Sequence, residues 1–235
     1  MIKSFIRLEQ VNPGFQTHNI LTMRLSLPAA QYPAGPARAA FFQQVIARLQ
    51  SLPGVQSAAA ISRLPLTSGN SSRGLRIEGL QNDGSGEGPG ADYRVISLDY
   101  FRSMGTPFSK GRDFTERDIG DSSGVVIINE TMARRYWPDE DPLGKRLRVD
   151  TEGTPWMEIV GVVGDVKHFG LDSQPKAEIY VPYSRDPWPF MTLVVRSTTE
   201  PSGLSTAMRN EVWAVDRDLP VPDIKTMDQL LSGSV

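Results

Sequence analysis

The chain has 235 residues, a formal net charge of −2 and a pI near 5.8, with 39% hydrophobic and 22% charged residues. That length can bury a substantial core in one or two domains, and the composition is that of an ordinary globular protein. The charge provides no basic field for nucleic acid, and the absence of cysteine excludes disulfides, thiol catalysis and cysteine-based zinc sites.

The opening MIKSFIRLEQVNPGF sets Ile2, Phe5 and Ile6 on one helical face. Residues 1–17 therefore read as a short amphipathic segment, docked on the core or lying at a membrane surface. No run reaches the ~18 apolar residues that a membrane-spanning helix needs. NILTMRLSLP (19–28) alternates Ile20, Thr22, Arg24 and Ser26 with Leu21, Met23, Leu25 and Leu27, which predicts a strand with one buried face. YPAGP breaks it. Pro36 suits a helix first turn, and Phe41, Val45, Leu49 and Leu52 recur at helical spacing. Pro53 and Gly54 end that helix, and VQSAAAIS (55–62) is a second strand, completing a β-α-β unit.

From about 65 to 185 the pattern changes to short strands and turns. LTSGNSSRG and LQNDGSGEGPG are loops rich in Gly, Ser and Asn. ADYRVIS (91–97), VVIIN (125–129), WMEIVGVVGDV (156–166) and AEIYVPY (177–183) read as strands. LDYFRSMG supplies a helical turn or two with Leu98, Phe101 and Met104 inward and Gly105 at its end. The far end repeats the opening order: MTLVVRS (191–197) as a strand, then a helix opened by Pro201 and carrying Leu204, Met208, Val212 and Val215. DLPVPDIK (218–225) follows as a Pro-punctured edge strand. Two β-α-β units around an insertion predict an α+β fold. Residues 18–64 and 186–235 form a split ferredoxin-like domain with a sheet covered by two helices, and 65–185 form a β-rich insert.

The chemistry-bearing motifs are weighed next. Gly144-Lys145 follows the short helix after Asn129 and enters a strand, with Arg146 and Leu147 where a phosphate loop requires Ser or Thr. Asn129 belongs at an N-cap with Glu130 in the first turn, and Pro138 stops the helix, so this corner is structural. GDVKHFGLD (164–172) offers Asp165, His168 and Asp172 as a metal or acid–base cluster, although turn chemistry accounts for it better. KGRDFTERDIGDS (110–122) interleaves Asp113, Glu116, Asp118 and Asp121 with Lys110, Arg112 and Arg117, a self-compensated loop in which Thr115 and Asp118 can form a capping box. No G-x-S-x-G elbow accompanies the serines. Trp137, Trp156, Trp188 and Phe190 are scattered; Trp188 in RDPWPF is either an exposed anchor for a protein partner or packed locally, the latter being favoured.

ADYRVISLDYFRSMGTPFSKGRDFTERDIGDSSGVVIINETMARRYWPDEDPLGKRLRV, followed by EIVGVVGDVKHFGLDSQPKAEIYVPY, resembles the MacB-like periplasmic core domain of ABC transporter permeases. NPGFQTHNILTMRLSLP is similar to the segment after the first transmembrane helix in duplicated orphan permeases of that type. The resemblance implies an extracytoplasmic domain set between transmembrane helices one and two, with a porter-like sheet-and-helix part and an inserted β part. It implies no catalytic, cofactor-binding or metal residues, because ATP is handled by a separate or fused ABC ATPase. The implied partners are the transmembrane helices of the same permease, a second permease half and a periplasmic adaptor. Function is then mechanical coupling and protein–protein interaction for efflux or export, through the Phe5/Phe15 region and the MDQLLSGSV tail lying side by side. Two other readings stand beside it. One is a periplasmic solute-binding module whose loops 67–74 and 81–90 close on ligand in a cleft between the two parts. The other is a metal-dependent hydrolase built on Asp165, His168 and Asp172.

Overall fold

The structure is a computed structural model that describes residues 12–33, 35–80, 88–120 and 124–233. Its first sheet is built from both ends of the chain. Strand β1 (Ile20–Ser26) leads into α1 (Gly35–Gln50) and β2 (Val55–Ile61), and, after the insertion, β10 (Phe190–Ser197) leads into α5 (Leu204–Val215) and β11 (Lys225–Thr226). The spatial order is β11-β1-β10-β2, every neighbour antiparallel. Numbered within this unit alone, that is 4-1-3-2, the ferredoxin-like arrangement.

The period-2 pattern and the helix spacing explain the layering. Leu21, Met23 and Leu25 of β1 and Met191, Leu193 and Val195 of β10 point to one face, where Phe41, Phe42, Val45 and Leu49 of α1 and Met208 and Val212 of α5 cover them. Arg48 Nε donates to Glu211 Oε2 at 2.7 Å between the two helices. Ile20 and Thr22, expected on the solvent side, are buried as well. The reason is that the second face is also covered: Ile20, Ala59, Ile61 and Val194 pack with Phe101 and Met104 of the short helix α2 (Tyr100–Met104). The predicted strand over 218–225 shrinks to Lys225–Thr226, paired with Thr22 and Leu21. Pro220 and Pro222 carry no N–H to donate, so the ladder forms only after them. Leu52 and Leu98 lie outside their predicted helices and are only partly buried.

The chain between β2 and β10 closes on itself. Strands β3 (Ser72–Ile77), β4 (Gly90–Ile96), β6 (Val125–Asn129), β7 (Arg146–Val149), β8 (Met157–Val163) and β9 (Glu178–Pro182) pair in the ring β4-β3-β7-β8-β6-β9. A parallel ladder from β9 back to β4 shuts it. Strand β5 (Phe108–Gly111) hangs on β8, and helices α3 (Glu116–Gly120) and α4 (Glu130–Tyr136) bracket β6. The runs VVII and EIVGVV are β-branched and buried, as strands inside a closed ring should be. Leu75, Tyr93, Val126, Ile159 and Ile179 fill the ring and belong to the same apolar cluster as the helix-covered face of the first sheet. Ile96, Ile127, Val163 and Tyr180 join the cluster on that sheet's other face. Each apolar cluster thus draws on both parts, so the insert leans on the sheet through two continuous packed layers.

Candidate functional site

Asp165 is occupied by helix α4. Its Oδ1 accepts from Asn129 Nδ2 and from the Thr131 backbone N–H, both at 2.8 Å, and its Oδ2 accepts from Thr131 Oγ1 at 2.8 Å and Arg134 Nη2 at 2.6 Å. Asn129 caps the same helix, accepting from Met132 N–H at 3.0 Å. His168 is turned inward, and Asp172 is exposed. The predicted trio therefore does not converge, and among the described residues no three His, Asp or Glu side chains are placed to hold a metal.

His168 instead completes a buried charge network that the sequence did not disclose. Arg94, with a side chain 1% exposed, lies between Asp92 and Glu178, 4% and 2% exposed. Its Nη2 donates to Glu178 Oε1 at 3.0 Å and to Asp92 Oδ2 at 3.4 Å, and its Nη1 to Asn70 Oδ1 at 3.0 Å. Ser72 and Asn70 donate to Asp92, and Tyr180 Oη to Glu178 Oε2 at 2.7 Å. His168 Nε2 lies 3.2 Å from Glu178 Oε1, without the geometry of a directed hydrogen bond. Burial alone would raise the Glu178 carboxyl; the charges of His168 and Arg94 outweigh it and hold it below its ordinary value. The i, i+2 pairs Asp92/Arg94 and Glu178/Tyr180 were visible as polar interruptions of apolar strands. Their register, Asp92 opposite Glu178 across the closing ladder, was not.

The acidic loop is self-compensated as expected. Arg112 reaches both oxygens of Asp118 at 2.7 and 3.1 Å, and Thr115 donates to Asp118 Oδ2 through its N–H and its hydroxyl. Arg112 is the main cause that draws the Asp118 carboxyl down to about 2. Asp113 goes the other way: burial, reinforced by Asp99, pushes it up to about 6 against the Phe114 N–H that it accepts. Asp121 lies outside the described residues. Gly144 adopts φ +76° in a turn closed by Lys145 N–H to the Pro142 carbonyl, and the Lys145 ammonium pairs with Glu140. Gly144-Lys145 is a corner between α4 and β7.

Trp188 is half-buried. Its indole N–H donates to Asp186 at 2.9 Å, and its ring meets Phe190 edge-on at 5.2 Å. The Arg63 guanidinium lies over both rings, 5.8 Å from Trp188 and 4.8 Å from Phe190.

The two ends of the described chain meet. Besides the β1–β11 pairing, His18 Nδ1 lies 3.2 Å from Asp228 Oδ2, and Thr226 and Gln229 form a reciprocal capping box at the start of α6 (Met227–Ser232). Residues 12–19 are pinned from below: Gln16 N–H donates to the Met104 carbonyl, Thr106 Oγ1 to Gly14 O, and Lys167 N–H to Pro13 O. Gly14 has φ +85°, and a Cβ there would overlap the Asp165 carbonyl. A cavity of about 430 Å³ lies at this junction, lined by Phe15, His18, Arg196, Leu171 and Leu231 among others. Between α1 and the insert, a second cavity of about 190 Å³ is lined by Ile46, Gln50, Asp99, Glu116 and Tyr183. That is below the roughly 300 Å³ at which small-molecule sites begin. Residues 81–87 of the proposed closing loop lie outside the described residues.

These features define a split ferredoxin-like domain with an inserted β-barrel, whose polar side chains tie elements together. The chain belongs to the MacB-like periplasmic core domain family, which it matches over residues 7–211. Among curated proteins it is 33% identical over 89 residues to the macrolide export ATP-binding/permease protein MacB 2 of Aeromonas hydrophila, a match covering 38% of this chain and 13% of that protein. It is 29% identical over 119 residues to MacB of Aggregatibacter actinomycetemcomitans, covering 51% of this chain and 17% of the relative. The match thus spans less than a fifth of these relatives' own length. The periplasmic region of MacB from Actinobacillus actinomycetemcomitans superimposes with a TM-score of 0.62 at 17% identity, covering 97% of both chains. The extracellular domain of the transporter YknZ from Gram-positive bacteria gives 0.55 at 18% identity, covering 86% of this chain and all of that one. At such identities the likeness concerns the fold.

Proposed function

We propose that this chain is the non-catalytic extracytoplasmic domain of a MacB-like ABC-type permease, and that it transmits movement between transmembrane helices and protein partners during efflux or export. The observation that carries this reading is the meeting of residues 12–19 with 225–233 through the β1–β11 ladder and the His18–Asp228 contact. A domain inserted between two membrane helices must receive and return the chain on one side. Here those two points are locked to the same edge of one sheet, so a relative displacement of the flanking helices strains β1, β11 and α6 directly. The polar clusters fit a mechanical role, since Asp165 and Arg94 join segments distant in sequence. In this reading residues 18–64 and 186–235 form the porter-like part and 65–185 the insert. ATP is hydrolysed by a separate or fused ATPase, and a second permease half and a periplasmic adaptor complete the assembly.

The test uses spin labels on cysteines introduced at Gln16 and Leu230, which are unambiguous because the chain has no cysteine of its own. Pulsed dipolar spectroscopy on the domain should give one short distance. In the parent permease, reconstituted with its ATPase, that distance distribution should shift or broaden with nucleotide. A separation spanning the long axis of the molecule would refute the reading.

A further inference from the structure

Several arginines of this chain pair with carboxylates, as Arg48 does with Glu211, Arg112 with Asp118 and Arg134 with Asp165. Another group is set against aromatic rings instead. Arg24 projects from the exposed position of β1 and lies 5.7 Å from the centroid of Phe190. Arg63, just after β2, lies over the same ring and over Trp188. Arg73 of β3 lies 5.3 Å over Tyr93, and its Nη1 donates only to Ser71 Oγ and the Ser72 carbonyl. Among the described residues none of the three has a carboxylate partner. The acid in their midst, Asp186, is engaged by the Trp188 indole N–H and the Tyr93 hydroxyl. Through it the rings of Phe190, Trp188 and Tyr93 form one continuous row that crosses from the first sheet to the barrel.

Arg63 is the most enclosed cation of the row. The Arg63 guanidinium is lowered from its ordinary value, first by burial and then by the charges of Arg24 and Arg94, and its Nε is buried without a partner. In a protein of net charge −2, three arginines over aromatic rings without a carboxylate from the chain leave a local excess of positive charge. A guanidinium stacked on a ring keeps its N–H edge free, in the plane where carboxylate oxygens bind in pairs. Arginine and tryptophan are also the residues that carry binding energy in protein interfaces.

We propose that the Arg24–Arg63–Arg73 row, with Trp188 and Phe190, is a docking surface for an extended acidic segment of a partner protein. Charge complementarity selects the acid. The arrangement selects a chain over a single anion, because Arg24 and Arg63 lie over Phe190 at the first sheet while Arg73 lies over Tyr93 on the barrel. The inference extends the protein-interaction half of the proposed function. It is read by peptide binding, whereas the coupling half is read by the label distance, so either can fail alone.

The experiment is calorimetric titration of the 235-residue chain with an N-acetylated, C-amidated hexaglutamate peptide, and with hexaglutamine as the uncharged counterpart. Saturable binding of hexaglutamate alone is expected, weakening as salt is raised. Arg24→Gln and Arg63→Gln should each weaken it by about tenfold, the double variant should abolish it, and Arg117→Gln, an exposed arginine elsewhere, should leave it unchanged. Arg24 is exposed, so Arg24→Gln keeps the test valid if the half-buried Arg63→Gln fails to fold. Equal binding of hexaglutamine, an Arg117→Gln loss as large as that of Arg24→Gln, or no binding of hexaglutamate would overturn the proposal. So would Arg24-dependent binding of inorganic phosphate or of phosphatidylglycerol vesicles with none of the peptide, which would reassign the row to phosphate groups.

Discussion

Replacing Arg94 by methionine removes the one permanent cation from the buried network while keeping most of its volume. Asp92 and Glu178 would then share the core with only His168, at side-chain exposures of 4% and 2%. Deleting one partner of a buried ion pair costs about 3–5 kcal/mol, because a desolvated charge is left behind. For a domain of this size each kcal/mol moves the melting temperature by roughly 2–4 °C, so the expected fall is roughly 6–20 °C. Urea unfolding followed by tryptophan fluorescence and near-ultraviolet dichroism would measure it. The double variant Arg94→Met/Glu178→Gln should lose less than the sum of its singles, since the second change removes the charge that the first exposed. The acid limb provides a second check. The folded Glu178 carboxyl lies below its ordinary 4.5, so its contribution is present above that value and is lost as pH falls through the lower folded value. Glu178→Gln should flatten that loss. An Arg94→Met cost under about 1 kcal/mol, or an unchanged acid limb in Glu178→Gln, would refute the network as a stabilising closure of the barrel.

Two further outcomes follow from the loop geometry. Asp113 is pushed up to about 6 from an ordinary 3.8, so its folded form holds the proton more tightly, and stability should decline as pH rises between these values. Asp113→Asn should therefore raise the melting temperature at pH 7.5 and leave it unchanged near pH 3.5; a gain of equal size at both would contradict the burial argument. Gly14→Ala would force a side chain into the Asp165 carbonyl at φ +85°, releasing residues 12–19 from the loop at 164–167. Hydrogen exchange should accelerate at the Lys167 and Gln16 amides while the β4–β9 ladder stays protected, and uniform acceleration would argue for global unfolding instead.

What could be read in advance was whatever repeats locally. The alternation in NILTMRLSLP, the 3–4 spacing of Phe41, Val45 and Leu49, and the Asn129 cap each depend on residues within one turn or one strand, and each lies where expected. The β-α-β repeats at the two ends anticipated the split sheet, and the resemblance carried by residues 91–183 anticipated the family. The misreadings share a different origin. Ile20 and Thr22 looked solvent-facing because nothing in β1 reveals that Ile20 packs in one cluster with Phe101 and Met104, some 80 residues later, or that Thr22 Oγ1 donates to the Lys225 carbonyl. The less favoured alternative, a metal or acid–base cluster of Asp165, His168 and Asp172, falls because adjacency in sequence hides orientation: the loop turns one side chain to helix α4, one into the core and one to solvent. The arginine row escaped for the same reason, since Arg24, Arg63, Arg73 and Trp188 come from four separate elements.

The charge network and the arginine row can be compared directly, because Arg94 belongs to the first and acts electrostatically on the second. In the interior, Arg94 is matched by Asp92 and Glu178 within the chain, and the match spans the parallel β4–β9 ladder that closes the barrel. At the surface, Arg24, Arg63 and Arg73 are stacked on rings with equal care for position but without internal anions. Set over rings and without a carboxylate from the chain itself, they are placed to meet carboxylates supplied from outside it.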